Sequence, residues 1–230
     1  MLRFVLMRVY KFLDTKYGID STQKRRLKQS RVSDLNDPFE LRSFDVTSTI
    51  IRETFRQTSE DVDKTDGLLC FSAGWENPVI WAHYSDKHKG LCLGFEIPDL
   101  AEDPNSNTGY VKYVPCLLPC PSLSTFEGFE KLPDSGPHDF AHAALFTKFE
   151  HWAYENEIRV WVPLGNEDSG LHFVPFGKDL QLKQVVLGQR CARSRADIVE
   201  ALGALVQEVK IMKARAAYDK FQMVEDESWA

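Results

Sequence analysis

Every strongly apolar run in this chain is short and ends on a residue that breaks it. GLLCFS at residues 67–72, GLCLGFEI at 90–97 and LKQVVLG at 182–188 are each of strand length, bounded or interrupted by glycine, proline or charge. Runs of that size are read as buried strands rather than helices. No stretch approaches the roughly 20 apolar residues that a membrane-spanning helix needs.

Further strands are expected in the opening RFVLMRVYKFL, ending near Tyr10 to Leu13, and in YVKYV, ENEIRVWVPL, HFVPF, KIMKARAA and FQMV. Helices are expected between them. STQKRRLKQSR carries a Ser21 or Thr22 cap, and Thr49 to Asp61 has helical character. PVIWAHYSD starts with Pro78 in its first turn, where proline costs no hydrogen bond. HDFAHAALFTKFEHWA and the amphipathic SRADIVEALGALVQEV complete the set. Strands in runs with helices between them predict an α+β fold of mixed, mainly antiparallel sheets with flanking helices. At 230 residues the chain is expected to be a single domain, 1–230, with a loop-rich insertion around 115–137.

A net charge of −6 gives no global basic surface for nucleic acid, and no membrane partner is expected. The cluster Lys24, Arg25, Arg26, Lys28 and Arg31 reads as the solvated face of a helix. Arg3, Arg8 and Lys11 interrupt any signal-peptide core, and an odd count of five cysteines suits a reducing compartment, so a cytoplasmic location is expected. Cys116 and Cys120 lack a second pair at zinc spacing, and no metal is expected.

Three segments concentrate chemistry. In LNDPFE, Asn36, Asp37 and Pro38 mark a tight turn with Phe39 as its buried anchor, and Asn36 or Asp37 is a candidate for the site. WAHYSDKHKG gathers Trp81, His83, Tyr84, Ser85 and His88 immediately before a strand. It is either a turn that caps the strand or the wall of a site. In KFEHWAYENEIRVW, Glu155 and Glu157 on one strand would point to the same face, with Arg159 beside them. Two such carboxylates repel, so one should have a raised pKa unless Arg159 or Lys148 compensates.

The ordered set YKFL, LNDPFE, CFS, WAHYSDKHKG with LCLGFEI, KFEHWAYENEIRVW and VVLG resembles the bacterial domain-of-unknown-function family twenty-nine seventy-one over nearly the whole chain. That family brings no established activity. The order of features also resembles the ADP-ribosyltransferase superfamily, with Tyr10 and Lys11 at the first motif, Trp81, Tyr84 and Ser85 at the second, and Glu155 or Glu157 at the third. Lys11 stands where that superfamily carries His or Arg.

This second resemblance implies an ADP-ribosyltransferase-like fold and an NAD-consuming transferase or glycohydrolase, of the kind found among toxins and anti-phage effectors. NAD is then the substrate and the acceptor is open. Glu157 stabilises the oxocarbenium ion as nicotinamide leaves, and Glu155 steers the acceptor. Trp81 and Tyr84 supply stacking faces, His83 or His88 polar contacts, and Arg159 keeps one acid ionised. Two other readings stay open: a metal-dependent hydrolase or nuclease using His83, His88, Glu155 and Glu157, and a module that binds a nucleotide or peptide without turnover. Both enzyme readings predict that Tyr10, Lys11, the aromatic faces of Trp81 and Tyr84, and the carboxylates of Glu155 and Glu157 line one cleft, with His83 facing it or bracing its wall.

Overall fold

The computed structural model describes residues 5–100, 106–120 and 138–229. In chain order its elements are β1 (Leu6–Leu13), α1 (Thr15–Lys24), β2 (Arg26–Lys28), α2 (Thr49–Thr65), β3 (Asp66–Ser72), α3 (Pro78–Tyr84), β4 (Leu91–Pro98), β5 (Thr108–Tyr110) and β6 (Lys112–Val114). They continue with α4 (His138–Phe146), β7 (Thr147–Phe149), β8 (Glu157–Pro163), β9 (Asn166–Asp168), β10 (Leu171–Pro175), β11 (Gln181–Leu187), α5 (Arg195–Leu202), β12 (Lys210–Ala216) and β13 (Met223–Glu225).

An eight-stranded sheet in the order β13-β12-β11-β4-β1-β3-β8-β5 carries the fold. Its pairings are antiparallel except β11 with β12, which α5 joins in a crossover. A three-stranded sheet, β2-β10-β9, and a parallel pair, β6-β7, complete the strands. The fold is α+β, mostly antiparallel, as the short apolar runs predict.

Alternation in the central strands puts a core on each face of the sheet. Val9, Leu91, Leu93, Phe95, Val185 and Leu187 pack on one side, where Ile198 and Leu202 of α5 close over them. Phe12, Cys92 and Val186 point the other way, beneath Ile80 and Trp81 of α3. At about 25 cal/mol per Å² of apolar surface, these fully buried side chains supply the main driving force for folding.

One junction in the sheet is incomplete. β1 pairs with β4 from Leu6 to Leu13, and β3 pairs with β8 from Asp66 to Ser72, yet β1 meets β3 only at Tyr10 opposite Ser72. Below that point the strands diverge and the segment after β2 enters the gap, where Ser30 and Leu68 exchange backbone hydrogen bonds of 2.9 and 2.8 Å. The cleft described below opens at this seam.

Several local expectations are corrected. The helix expected at 21–31 begins at Thr15, because the Asp14 carboxylate caps the Tyr17 amide at 2.8 Å, and ends at Lys24 before Arg25 turns left-handed. The basic cluster therefore does not share a helix face. Lys24 pairs with Asp20, Arg26 with Asp168, and Lys28 with Asp34. The expected helix at 138–153 stops at Phe146, giving way to β7 and a 3-10 turn at Glu150–Glu155. The helix at 194–209 ends at Leu202, where Gly203 takes a φ of 51°. YVKYV divides between β5 and β6, which belong to different sheets. Most of the loop expected at 115–137 lies outside the described residues.

Candidate functional site

The cleft at the seam encloses about 230 Å³. Tyr10, Phe12 and Lys11 of β1 form one wall, and Cys70, Phe71 and Ser72 of β3 form the opposite one. Leu35, Asn36 and Glu40 come from the loop after β2, Ile80 and Tyr84 from α3. Lys148, Glu155 and Glu157 close the acidic end. Lys11 bridges the walls by donating to the Cys70 carbonyl at 2.9 Å, which satisfies a backbone acceptor that the incomplete pairing leaves open.

The acidic end is a buried ion cluster. Arg159, 1% exposed, grips Glu157 through Nε at 2.9 Å and Nη2 at 3.1 Å, and Glu40 through Nη1 and Nη2, both at 2.8 Å. Its Nη1 also donates to the Leu145 carbonyl at 2.7 Å. Lys148 reaches Glu155 at 2.7 Å, Glu157 at 3.3 Å and Glu40 at 3.4 Å, and lies over the Trp152 ring. Three carboxylates thus face two cations, which leaves one negative charge uncompensated within the cluster. Taking such charges out of water costs several kcal/mol each unless partners and hydrogen bonds compensate.

That surplus falls on Glu155. Burial would raise the Glu157 carboxyl, but Arg159 and Lys148 outweigh it and hold the group at about 2, helped by a hydrogen bond from the Cys70 thiol. For Glu155 burial wins over the Lys148 charge, and its pKa is raised. One carboxylate is locked in the ionised form and the other is poised to take up a proton. Burial and the Glu155 charge in turn keep the Tyr84 hydroxyl protonated. It donates to Glu155 Oε1 and accepts from Asn36 Nδ2 at 2.8 Å. On the other side, the Tyr113 hydroxyl accepts the Glu157 backbone N–H at 2.9 Å.

Tyr10, Lys11, Asn36, Tyr84, Glu155 and Glu157 therefore share one cleft, with Arg159 behind it. The two acids meet by a route other than strand alternation. Glu155 closes the 3-10 turn, Asn156 is left-handed with a φ of 43°, and Glu157 opens β8.

Other candidates are placed elsewhere. Trp81 is fully buried, sits edge-on to Phe12 at 5.0 Å and donates its indole N–H to the Trp75 carbonyl at 2.6 Å, so no face of it is open to a ligand. Ser85 is equally buried and bonds the Trp81 carbonyl at 2.7 Å, a helix-end contact. Asp37 accepts from the Phe39 amide at 2.9 Å and holds the turn. Phe39, expected as a buried anchor, is 51% exposed, while Glu40 beside it goes inward. His88 stacks on Trp81 at 6.4 Å and is not among the cleft residues.

His83 also stands outside the cleft, tilted over Tyr154 at 5.6 Å, and lines a separate open groove of about 580 Å³ with Asp14, Thr15, Lys16, Tyr84 and Asp86. Among the described residues no group of three or more His, Cys, Asp or Glu is placed to hold a metal ion. The ligand set of a His83, His88, Glu155 and Glu157 metal centre does not converge.

Glu40 is the residue that sequence reasoning missed. It belongs to LNDPFE, but its partner Arg159 is 119 positions away. Two basic residues, Lys148 and Arg159, near two acids gave no sign that a third acid was needed. Among the described residues no helix is long and apolar enough to cross a membrane. Compared with family models, curated proteins and solved structures, the chain matches none of them, so the resemblances drawn from its motifs rest on the residues alone.

Proposed function

We propose that the chain is an NAD-consuming enzyme that breaks the bond between nicotinamide and ribose, as a transferase or glycohydrolase. The observation that carries this reading is the net negative charge of the Glu40, Glu155 and Glu157 cluster, which exceeds Lys148 and Arg159 by one, at the end of a cleft with apolar walls. The nicotinamide ring of NAD is a flat group with a delocalised positive charge, and that charge moves onto the ribose as an oxocarbenium ion when the ring leaves. An acid already fixed at the place where the cation develops needs no reorganisation, and single groups of this kind are worth roughly 2.7 to 4 kcal/mol. Phe12, Phe71 and Ile80 supply apolar surface for the ring. A volume of about 230 Å³ lies below the roughly 300 to 1,000 Å³ that encloses a whole ligand, so ring and ribose enter while the adenosine half extends outward.

Incubation of the purified chain with NAD, followed by chromatography for free nicotinamide, tests the reading. Glu155→Gln should lower turnover by about 10²- to 10³-fold with the fold intact by circular dichroism. If calorimetry finds no NAD binding and no nicotinamide appears with water or any acceptor, the reading is wrong.

One observation favours a second reading, a module that binds without turnover: every carboxylate oxygen of Glu155 and Glu157 already has a donor. In that case Glu155→Gln changes NAD affinity and no product accumulates on long incubation.

A further inference from the structure

We propose that Tyr84 and Glu155 form a proton relay that activates an oxygen nucleophile, a water or a hydroxyl of the second reactant, delivered from the outer groove. The proposal rests on the glycosidic-bond reading above and adds the partner chemistry and the residue that handles it.

Among the described residues, Tyr84 is the one common to the linings of the inner cleft and the outer groove. Tyr84 thus stands between a small cleft with apolar walls and a larger open groove. Asp14, Thr15, Lys16, His83 and Asp86 line that groove, a hydrophilic set of mixed charge that suits water or a polyol better than an apolar group. The hydrogen bonds at the boundary converge on Glu155. Asn36 donates to Tyr84, Tyr84 donates to Glu155 Oε1, and the other Glu155 oxygen accepts from Lys148 at 2.7 Å. With one bond donated and one accepted, the phenolic oxygen keeps a further lone pair for an incoming O–H.

The choice between the two acids follows from their partners. Glu157 is gripped by both Arg159 and Lys148, so protonating it would weaken two buried ion pairs and leave Arg159 with Glu40 alone. Protonating Glu155 removes the surplus charge of the cluster. Glu155 is therefore the acid that can take a proton, and Tyr84 is its contact toward the outer groove.

In the step, the nucleophile's proton moves to the Tyr84 oxygen as the phenolic proton moves to Glu155 Oε1. The nucleophile's oxygen forms a bond to the anomeric carbon, and the carbon–nitrogen bond breaks with its electron pair going to the nicotinamide nitrogen, which becomes neutral. The proton on Glu155 returns to solvent before the next cycle. No oxidant or reductant is involved.

The test uses the full chain with NAD. Tyr84→Phe removes one oxygen, and general acid-base contributions of this kind are typically about 10²- to 10⁴-fold. The expected result is a fall in kcat of that size, with the calorimetric Kd for NAD unchanged. The wild-type chain should also show a solvent deuterium effect on kcat that Tyr84→Phe loses, which a merely structural tyrosine would not produce. Should Tyr84→Phe fail to fold, Asn36→Ala serves instead: Asn36 is exposed at the rim, and its loss should give a smaller fall in kcat with the same unchanged Kd. A folded Tyr84→Phe with wild-type kcat, or one that loses NAD binding and turnover together, overturns the relay and leaves the NAD reading standing. A wild-type chain that neither binds NAD nor releases nicotinamide overturns the underlying reading.

Discussion

Glu155 and Glu157 are two residues apart, and their surroundings drive their ionisation in opposite directions. The consequence for stability is opposite as well. Glu157 is held at about 2 in the folded chain, below the ordinary 4.5, so between those values the unfolded chain binds more protons and stability rises with pH. That contribution is lost as pH falls through about 2. Glu155 is raised above 4.5, so above that value the folded chain binds more protons and stability falls as pH rises through its folded pKa. Thermal unfolding followed by circular dichroism should show the melting temperature climbing from pH 2 to 4.5 and then sagging. Glu155→Gln should remove the sag and keep the climb; an upper limb identical to wild type would contradict the assignment of the surplus charge.

Part of this was legible in the residues. ENEIR announces paired acids beside a guanidinium, and the rule that one must shift follows from charge alone. Glu40 was not legible, because its role depends on a contact across 119 positions. Trp81 misled for a related reason: a tryptophan near the cleft in sequence is fully buried in the core between α3 and the sheet, with Phe12 and Trp75.

Among the elements, β1, β3, β4, β8 and β11 could be read from the sequence, since each is an apolar or alternating run with clear punctuation. β2, β7 and β9 could not. Each spans three residues, and a strand that short exists only because a partner offers its edge: β10, distant in sequence, for β2, β10 across the Ser169–Gly170 turn for β9, and β6 for β7. Propensity has no means of registering such a partner. The entry to β4 shows a tighter constraint. Asp86, Lys87 and His88 are all left-handed, with φ of 45°, 55° and 69°, and the turn returns through Gly90. A Cβ at Gly90 would sit 2.0 Å from the Leu13 carbonyl oxygen, which belongs to backbone and cannot rotate away. Gly90→Ala should therefore cost about 3 kcal/mol, at the upper end for overpacked sites, measured as a lowered urea midpoint. A midpoint equal to wild type would mean that β1 and the turn before β4 are not so closely apposed.

For the whole molecule, the eight strands are not one uniform plate. Five of them, β13 through β1, form one continuously bonded block, and β3, β8 and β5 form another. Their edges meet in a single strand-to-strand pair and the Lys11 side chain bonded to Cys70, with the apolar core, Phe71 against Phe95 among it, packed across the seam. Amides of β1 directed toward β3 should exchange with deuterium faster than those directed toward β4, by nuclear magnetic resonance; equal protection along both edges would show that the blocks move as one. In mechanical terms the sheet has a perforation. Tension applied across the strands would part it there first, peeling two intact plates from each other at the place where the acids are stored, long before either plate lost its own strands.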